Sequence, residues 1–204
     1  MRIIAGRYRG RVLKSLPGLQ VRPTGARLRQ ALFDVLGASV EGSVFLDCYA
    51  GSGAVGLEAL SRGARQVFLI EDNASAHRLI SQNLSLLGSP PHATVVGFTV
   101  YNALRRLEHK GLRANFCFFD PPYRATTETL ATLRWLATAQ LLQPDGLIIV
   151  QHERNKPYAD NLGTWNRVRL LTQGSNALSF YRTRAETTRG LTGSLTATDV
   201  DAPH

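Results

Sequence analysis

The chain has 204 residues, 44% of them apolar, and its 24 Lys and Arg against 15 Asp and Glu leave a formal net charge of +9. That length suits a single domain with a sizeable core, and the longest purely aliphatic run, Leu147–Val150, falls far short of the ~20 apolar residues of a membrane span. Cys48 and Cys117 both lie inside apolar runs, which excludes a disulfide-built secreted scaffold and points to buried free thiols in a cytoplasmic protein. Arg2 and the arginines after the short Ile3–Ala5 patch leave no signal-peptide apolar region.

The charge is concentrated. Residues 1–33 hold Arg2, Arg7, Arg9, Arg11, Lys14, Arg22, Arg27 and Arg29 and no acidic residue, while the rest of the chain is almost neutral. A local basic field of this kind suits a phosphate backbone, because neutralising phosphates releases condensed counterions. In chain order, Ile3-Ile4 and Val12-Leu13 flank the turn-rich loop Gly6–Gly10 and predict a hairpin. Thr24, after Pro23, is placed to cap a helix whose apolar face is Leu28, Leu32, Phe33 and Leu36.

Beyond Gly42, strands alternate with helices. The pattern predicts strands at Val44–Cys48, Gln66–Ile70, Thr94–Val96, Asn115–Phe119 and Leu147–Gln151. Helices are expected at Ala54–Arg62, Ala74–Leu87, Ala103–Glu108 and Thr126–Ala139, with a closing hairpin of Val168–Leu171 and Leu178–Arg182. Such alternation implies an α/β fold with a doubly wound, mostly parallel sheet covered on both faces. Residues 1–40 read as a basic extension, 41–184 as the main domain, and the Thr-rich stretch 185–204 as a disordered tail.

The turn Asp47-Cys48-Tyr49-Ala50-Gly51-Ser52-Gly53-Ala54-Val55-Gly56 follows the first strand and opens a helix. Glycines there let the backbone turn tightly and approach a ligand at the helix N-terminus. Gly51-x-Gly53-x-x-Gly56 by itself matches a dinucleotide fingerprint, and Glu71, 20 residues beyond Gly51, is placed to grip a ribose. Asp47 turns the reading away from a dinucleotide: a carboxylate there repels a pyrophosphate but accepts hydrogen bonds from a ligand ammonium. S-adenosylmethionine carries an amino-acid moiety and no phosphate, and it fits.

Asp120-Pro121-Pro122-Tyr123 follows the strand Asn115–Phe119 directly, at a carboxyl-end position bordering the ligand crevice of an α/β sheet. Two prolines stiffen the loop and remove two donors, leaving carbonyl oxygens and an acceptor-only Asp120. Acceptors without donors suit an amine substrate. Accepting the two N–H bonds of an aromatic amine through Asp120 and the Pro121 carbonyl draws its nitrogen toward tetrahedral geometry and frees the lone pair. Tyr123 offers a face on which the base can stack, worth roughly 1–3 kcal/mol in single-strand binders.

Taken together, these segments resemble the RsmD-type methyltransferases, which modify the N2 amine of a guanine in bacterial 16S rRNA (the guanine(966)-N2 type). The resemblance spans roughly residues 1–184. It rests on Arg2–Gly6 with Arg9-Gly10-Arg11, Arg22-Pro23-Thr24, Leu46-Asp47 with Ala50–Gly53, Gly56–Ala64, Glu71, Asn102-Ala103 and Asp120–Tyr123. It implies a class I S-adenosylmethionine-dependent methyltransferase fold with a seven-stranded sheet. Asp47 and the Gly51–Gly53 backbone (with Ser52) would hold the methionine part, Glu71 the ribose and Asn102-Ala103 the adenine side. Thr24, Tyr49 and Ala50 complete the expected cofactor set, and Asp120, Pro121 and Tyr123 the catalytic one. Arg7, Arg9, Arg11, Lys14, Arg22 and Arg27 are the expected RNA contacts. The implied partner is 16S rRNA within a small-subunit particle, with neither metal nor membrane. The chain departs from the family pattern at Gly25-Ala26, where Thr-Asp is usual, at Gln30, where Glu is usual, and at Asp34, where Asn is frequent.

Other readings stay open on the residues alone. A DNA or RNA adenine-N6 methyltransferase would use the same amine chemistry, and an inactive RNA-binding protein could keep the same fold. An NAD-dependent oxidoreductase is disfavoured by Asp47 and by Asp120–Tyr123. The five histidines show no metal-ligand spacing. His152 reads as a satisfied or exposed histidine rather than part of the pocket.

Overall fold

The computed structural model describes residues 1–15, 23–122 and 125–183. Arg22, Tyr123 and the expected tail 185–204 therefore lie outside the described residues. The helices are α1 (Pro23–Leu36), α2 (Ala54–Ser61), α3 (Ala74–Leu86), α4 (Val100–His109) and α5 (Thr126–Leu136). The strands are β1 (Val44–Cys48), β2 (Gln66–Ile70), β3 (Ala93–Val96), β4 (Ala114–Phe119), β5 (Leu142–Glu153), β6 (Asn161–Leu162), β7 (Trp165–Gln173) and β8 (Asn176–Thr183).

One sheet runs in the order β3-β2-β1-β4-β5-β8-β7-β6. β1 pairs in parallel with β2 and β4, and β4 with β5, whereas β8 and β7 join antiparallel. The central strands are apolar and buried along their length because helices cover both faces. Their alternation splits the core in two. Phe45, Phe116 and Phe118 face one layer with α1 and α2, while Leu46, Cys48, Cys117 and Phe119 face the other with α4 and α5.

The chain goes from β1 outward to β2 and β3 and then returns to place β4 on the other side of β1. That reversal opens a crevice at the carboxyl ends of β1 and β4, the position where such sheets bind ligands. Asp47 lies at the end of β1, on the same side as Phe45, and Asp120 follows β4 directly.

Among the described residues the sheet has eight strands instead of the expected seven. The addition is β6, two residues folded back onto Trp165 and Asn166 around Gly163. Two residues are too short to show an alternating pattern. Helix α4 starts at Val100, three residues earlier than Ala103, with the extended Thr99 before it. The N-terminal hairpin forms as expected, bridging Arg2 and Val12 and bonding Ile3 N–H to the Arg11 carbonyl at 3.0 Å. It has no core of its own: Ile3, Leu13, Leu28, Leu32 and Phe33 pack in the same apolar layer as Phe45 and Leu57.

Candidate active site

The glycine turn is built by tertiary demand. Tyr49, Gly51 and Gly53 have φ of 64°, 56° and 80°, so the chain coils left-handed three times between β1 and α2. Gly56 cannot be larger, since an added Cβ would lie 2.8 Å from Leu69 and 3.1 Å from Asp47 Oδ2. That closeness lets the Gly56 N–H donate to Asp47 Oδ2 at 2.8 Å. Asp47 is 2% exposed. Burial pushes its carboxyl up to about 7 against the Gly56 bond, helped by the negative charges of Asp120 and Glu71.

Glu71, half-buried beyond β2, receives the Gly51 N–H on one carboxylate oxygen and the Asn73 N–H on the other, at 2.8 and 2.9 Å. It therefore fastens the turn, and each oxygen keeps a second lone pair for a ligand hydroxyl. The Tyr49 hydroxyl bonds Thr129 Oγ1 at 3.0 Å, and burial pushes it up to about 12. The backbone of Asp120 leans on β1, its N–H reaching the Cys48 carbonyl at 3.4 Å. Desolvation raises the Asp120 carboxyl to about 6. The residue as a whole is nonetheless open to solvent at the crevice mouth. Water reaching it favours the ionised form, so at neutral pH it is a carboxylate.

An open cleft of about 240 Å³ adjoins the turn, lined by Tyr49, Ile70, Glu71, Asp72, Phe98, Val100 and Glu128. Four of the sequence-derived residues, Asp47, Glu71, Asp120 and Tyr49, are thus gathered around one crevice, with Ala50–Gly53 forming its turn. Asn102 and Ala103 are not brought to the cleft lining. Ala103 is fully buried in the α4 and α5 layer, and Asn102 is exposed on the first turn of α4. The lining on that side is Phe98 and Val100, which the sequence reading missed. Phe98 is 43% exposed immediately past β3, with the Arg106 guanidinium 4.2 Å from its ring centre. An aromatic residue beyond the carboxyl end of a strand was the available signal. Thr24 stands in the first turn of α1.

The donor set fits a cationic, phosphate-free ligand. Asp47, Glu71, Asp72, Asp120 and Glu128 make the crevice acidic in a strongly basic protein, which attracts a sulfonium and an ammonium and repels a pyrophosphate. Cys48 and Cys117 are buried free thiols 3.6 Å apart below this crevice. His152 is satisfied within β5 and the antiparallel sheet, bonding Ser179 Oγ at 2.8 Å and the Glu153 carbonyl at 2.7 Å, and burial lowers its basicity. Among the described residues no three His, Cys, Asp or Glu side chains are grouped to hold a metal ion, and no helix is long and apolar enough to cross a membrane.

The expected RNA contacts lie elsewhere. Arg7, Arg9, Arg11 and Lys14 on the hairpin and Arg27 on α1 are exposed, and none pairs with a carboxylate among the described residues. Arg29 differs, being 6% exposed and donating to the Arg2 carbonyl at 2.8 Å beside Glu58. Glu58 is fully buried and accepts the Ile4 and Ala5 N–H groups at 2.8 and 3.0 Å and Arg62 Nε at 2.9 Å. The hairpin backbone is therefore locked along α2 while its cations face water.

Fold and crevice together define a class I S-adenosylmethionine-dependent methyltransferase. The family model described as "Conserved hypothetical protein 95" matches residues 1–182, and the chain belongs to that family. It is 36% identical over 191 residues to the ribosomal RNA small subunit methyltransferase D of Escherichia coli, covering 91% of each chain. The solved structure of a hypothetical protein from Thermus thermophilus is similar with a TM-score of 0.75 at 32% identity, over 90% of this chain and 99% of that one. A T. thermophilus 16S rRNA N2 methyltransferase, solved with AdoMet and guanosine, shares the fold with a TM-score of 0.66 at 22% identity, over 83% of this chain and 45% of that one.

Proposed function

We propose that the chain methylates the exocyclic N2 amine of a guanine in 16S rRNA of a small-subunit particle in the cytoplasm. The observation that carries this reading is the placement of Asp120 and Pro121 at the switch-point crevice, next to Asp47 and the glycine turn. S-adenosylmethionine, when bound, supplies the electrophilic methyl group. The Gly51–Gly53 turn and Asp47 hold its amino-acid end, Glu71 takes the ribose hydroxyls, and Phe98 and Val100 border the base.

Asp120 accepts one N–H of the target amine and the Pro121 carbonyl the other, so that the nitrogen lone pair is directed into the crevice. The proton is released after the nitrogen becomes cationic, so Asp120 serves as an orienting acceptor that need not be a strong base. Tyr123, outside the described residues, keeps its stacking role on sequence grounds, and Thr24 its place in the cofactor set. Most of the rate then comes from alignment, for which intramolecular geometry supplies roughly 7–11 kcal/mol. The guanine must leave its stack to reach the crevice.

Residues 1–40 supply the RNA contacts in this scheme and 41–184 the chemistry. Arg7 bonds through its backbone to Ser61 at the far end of α2, whereas Lys14 lies near the glycine turn. The hairpin cations therefore form a track about one α2 length long, roughly 12 Å at 1.5 Å per residue, and Arg22 and Arg27 keep their RNA-contact role on sequence grounds. Titration with S-adenosylmethionine and with NAD tests the cofactor, with heat expected from the first alone. Mass spectrometry of rRNA digests from cells lacking the gene tests the substrate. One N2-methylguanosine should disappear, and loss of an N6-methyladenosine instead would replace this reading with the adenine alternative.

A further inference from the structure

Asn83 occupies an unusual place on α3. It falls among Leu79, Ile80, Leu84 and Leu87, on the face the helix turns inward, and it is fully buried. A polar side chain there has to find partners, and it finds them in two distant segments. Its Oδ1 accepts the Lys14 N–H at 2.8 Å, and its Nδ2 donates to the Lys14 carbonyl at 3.2 Å and to the Ser52 carbonyl at 2.9 Å. The amide copies the edge of a β-strand toward the hairpin and spends its second N–H on the glycine turn. Both amide hydrogens are used.

We propose that Asn83 is a positioning residue that couples the RNA-binding hairpin to the cofactor turn, so that RNA and S-adenosylmethionine tighten each other's binding. The inference rests on the functional reading above and deepens it. The Ser52 carbonyl sits between Gly51 and Gly53, both in left-handed conformations, so its orientation is part of the turn that receives the cofactor. Lys14 is the hairpin cation whose backbone Asn83 holds. Phosphate binding that steadies the Lys14 backbone steadies Asn83 and, through it, Ser52. The reverse holds by thermodynamic necessity. Other anchors of the hairpin, Glu58 and Ser61 at residues 4–8 and Arg29 at the Arg2 carbonyl, touch no part of the turn. Docking of the arm and its coupling to the cofactor are therefore separable.

The experiment measures cofactor affinity of the full chain by calorimetry, with and without in vitro transcribed 16S rRNA. Wild type should bind S-adenosylmethionine about fivefold or more tightly when RNA is present, the lower end of typical couplings. Asn83→Ala should bring that ratio close to one while RNA affinity alone stays near wild type. Lys14→Pro, which removes the N–H that Asn83 accepts, should also bring the ratio close to one, with RNA affinity lowered because the cation goes too, and serves if Asn83→Ala fails to fold. Lys14→Ala should weaken RNA binding yet keep the ratio, because the backbone bridge survives. A folded Asn83→Ala or Lys14→Pro protein with the wild-type ratio overturns the proposal, as does a wild type that binds both ligands without coupling. A wild type that does not bind S-adenosylmethionine at all overturns the functional reading instead.

Discussion

The hairpin and the crevice flank the same helix, α2, and handle charge in opposite ways. Along the hairpin the charges are exposed arginines and a lysine, and what is buried is Ile3, Leu13 and backbone held by Glu58 and Ser61. At the crevice the charges are carboxylates set around the glycine turn, and one of them, Asp47, is almost wholly buried and pushed toward neutrality. An exposed cation costs little and acts at range on a polyanion, subject to salt. A buried carboxylate is costly, and it is kept where cations or N–H donors of the protein meet it, as at Glu58, or where a positive ligand will. The basic surface is thus suited to gathering RNA and the acidic crevice to holding a cationic cofactor, and the two opposite fields sit side by side without cancelling.

The contrast is most vulnerable at Glu58, the buried charge that belongs to the hairpin. Glu58→Ala leaves Arg29 without its counter-ion and leaves Arg62 Nε and two backbone N–H groups without their acceptor. Removing one partner of a buried ion pair costs about 3–5 kcal/mol, so thermal or urea unfolding should show a loss of that size. A loss under about 1 kcal/mol would mean the hairpin is not locked as described.

At the crevice, Asp120→Ala should reduce turnover about 100-fold, the penalty expected when a positioning group is removed, while S-adenosylmethionine affinity stays within a few-fold. In the wild type, turnover should rise with pH through about 6 as Asp120 ionises, and that step should vanish in Asp120→Asn. An alanine variant with full turnover would remove Asp120 from the chemistry.

Asp47 extends the contrast through pH. Its carboxyl is raised in the folded protein, from an ordinary value of 3.8 to about 7. Between those values the native state holds a proton that the unfolded chain has released, so stability falls as pH rises from about 4 to about 7. Each pH unit of displacement corresponds to about 1.4 kcal/mol. Asp47→Asn should flatten that part of the stability profile and should weaken S-adenosylmethionine binding at pH 8. Equal pH profiles for the two proteins would contradict the buried, destabilised carboxylate.

The smallest effect on folding is expected on the hairpin's outer side. Replacing Arg7 and Arg9 by alanine should leave the melting temperature unchanged and lower RNA affinity. The slope of log affinity against log salt should become shallower by about 0.7–0.9 for each phosphate that is no longer neutralised. An unchanged slope would take these two cations off the RNA track.

Much of the fold and part of the site were legible in the sequence. Val44–Leu46 and Phe116–Phe119 are uninterrupted apolar runs, so strands buried on both faces could be placed, and with them Asp47 and Asp120 toward their carboxyl ends. Gly51, Gly53 and Gly56 announced a tight turn because left-handed backbone and close approach both demand glycine. What periodicity cannot carry is partnership across long separations. Glu58 reaches residues 54 positions away and Asn83 reaches Lys14 69 positions away, and nothing in either local pattern names the partner. The cleft wall went to Phe98 and Val100, while Ala103 turned into the core, because α4 begins one turn earlier than its apolar spacing suggested. Which residue types stand at the strand ends could be read without coordinates, since local chemistry and alternation are encoded residue by residue. Which of them meet was settled by tertiary packing, because burial and a hydrogen-bond partner exist only once distant segments have come together.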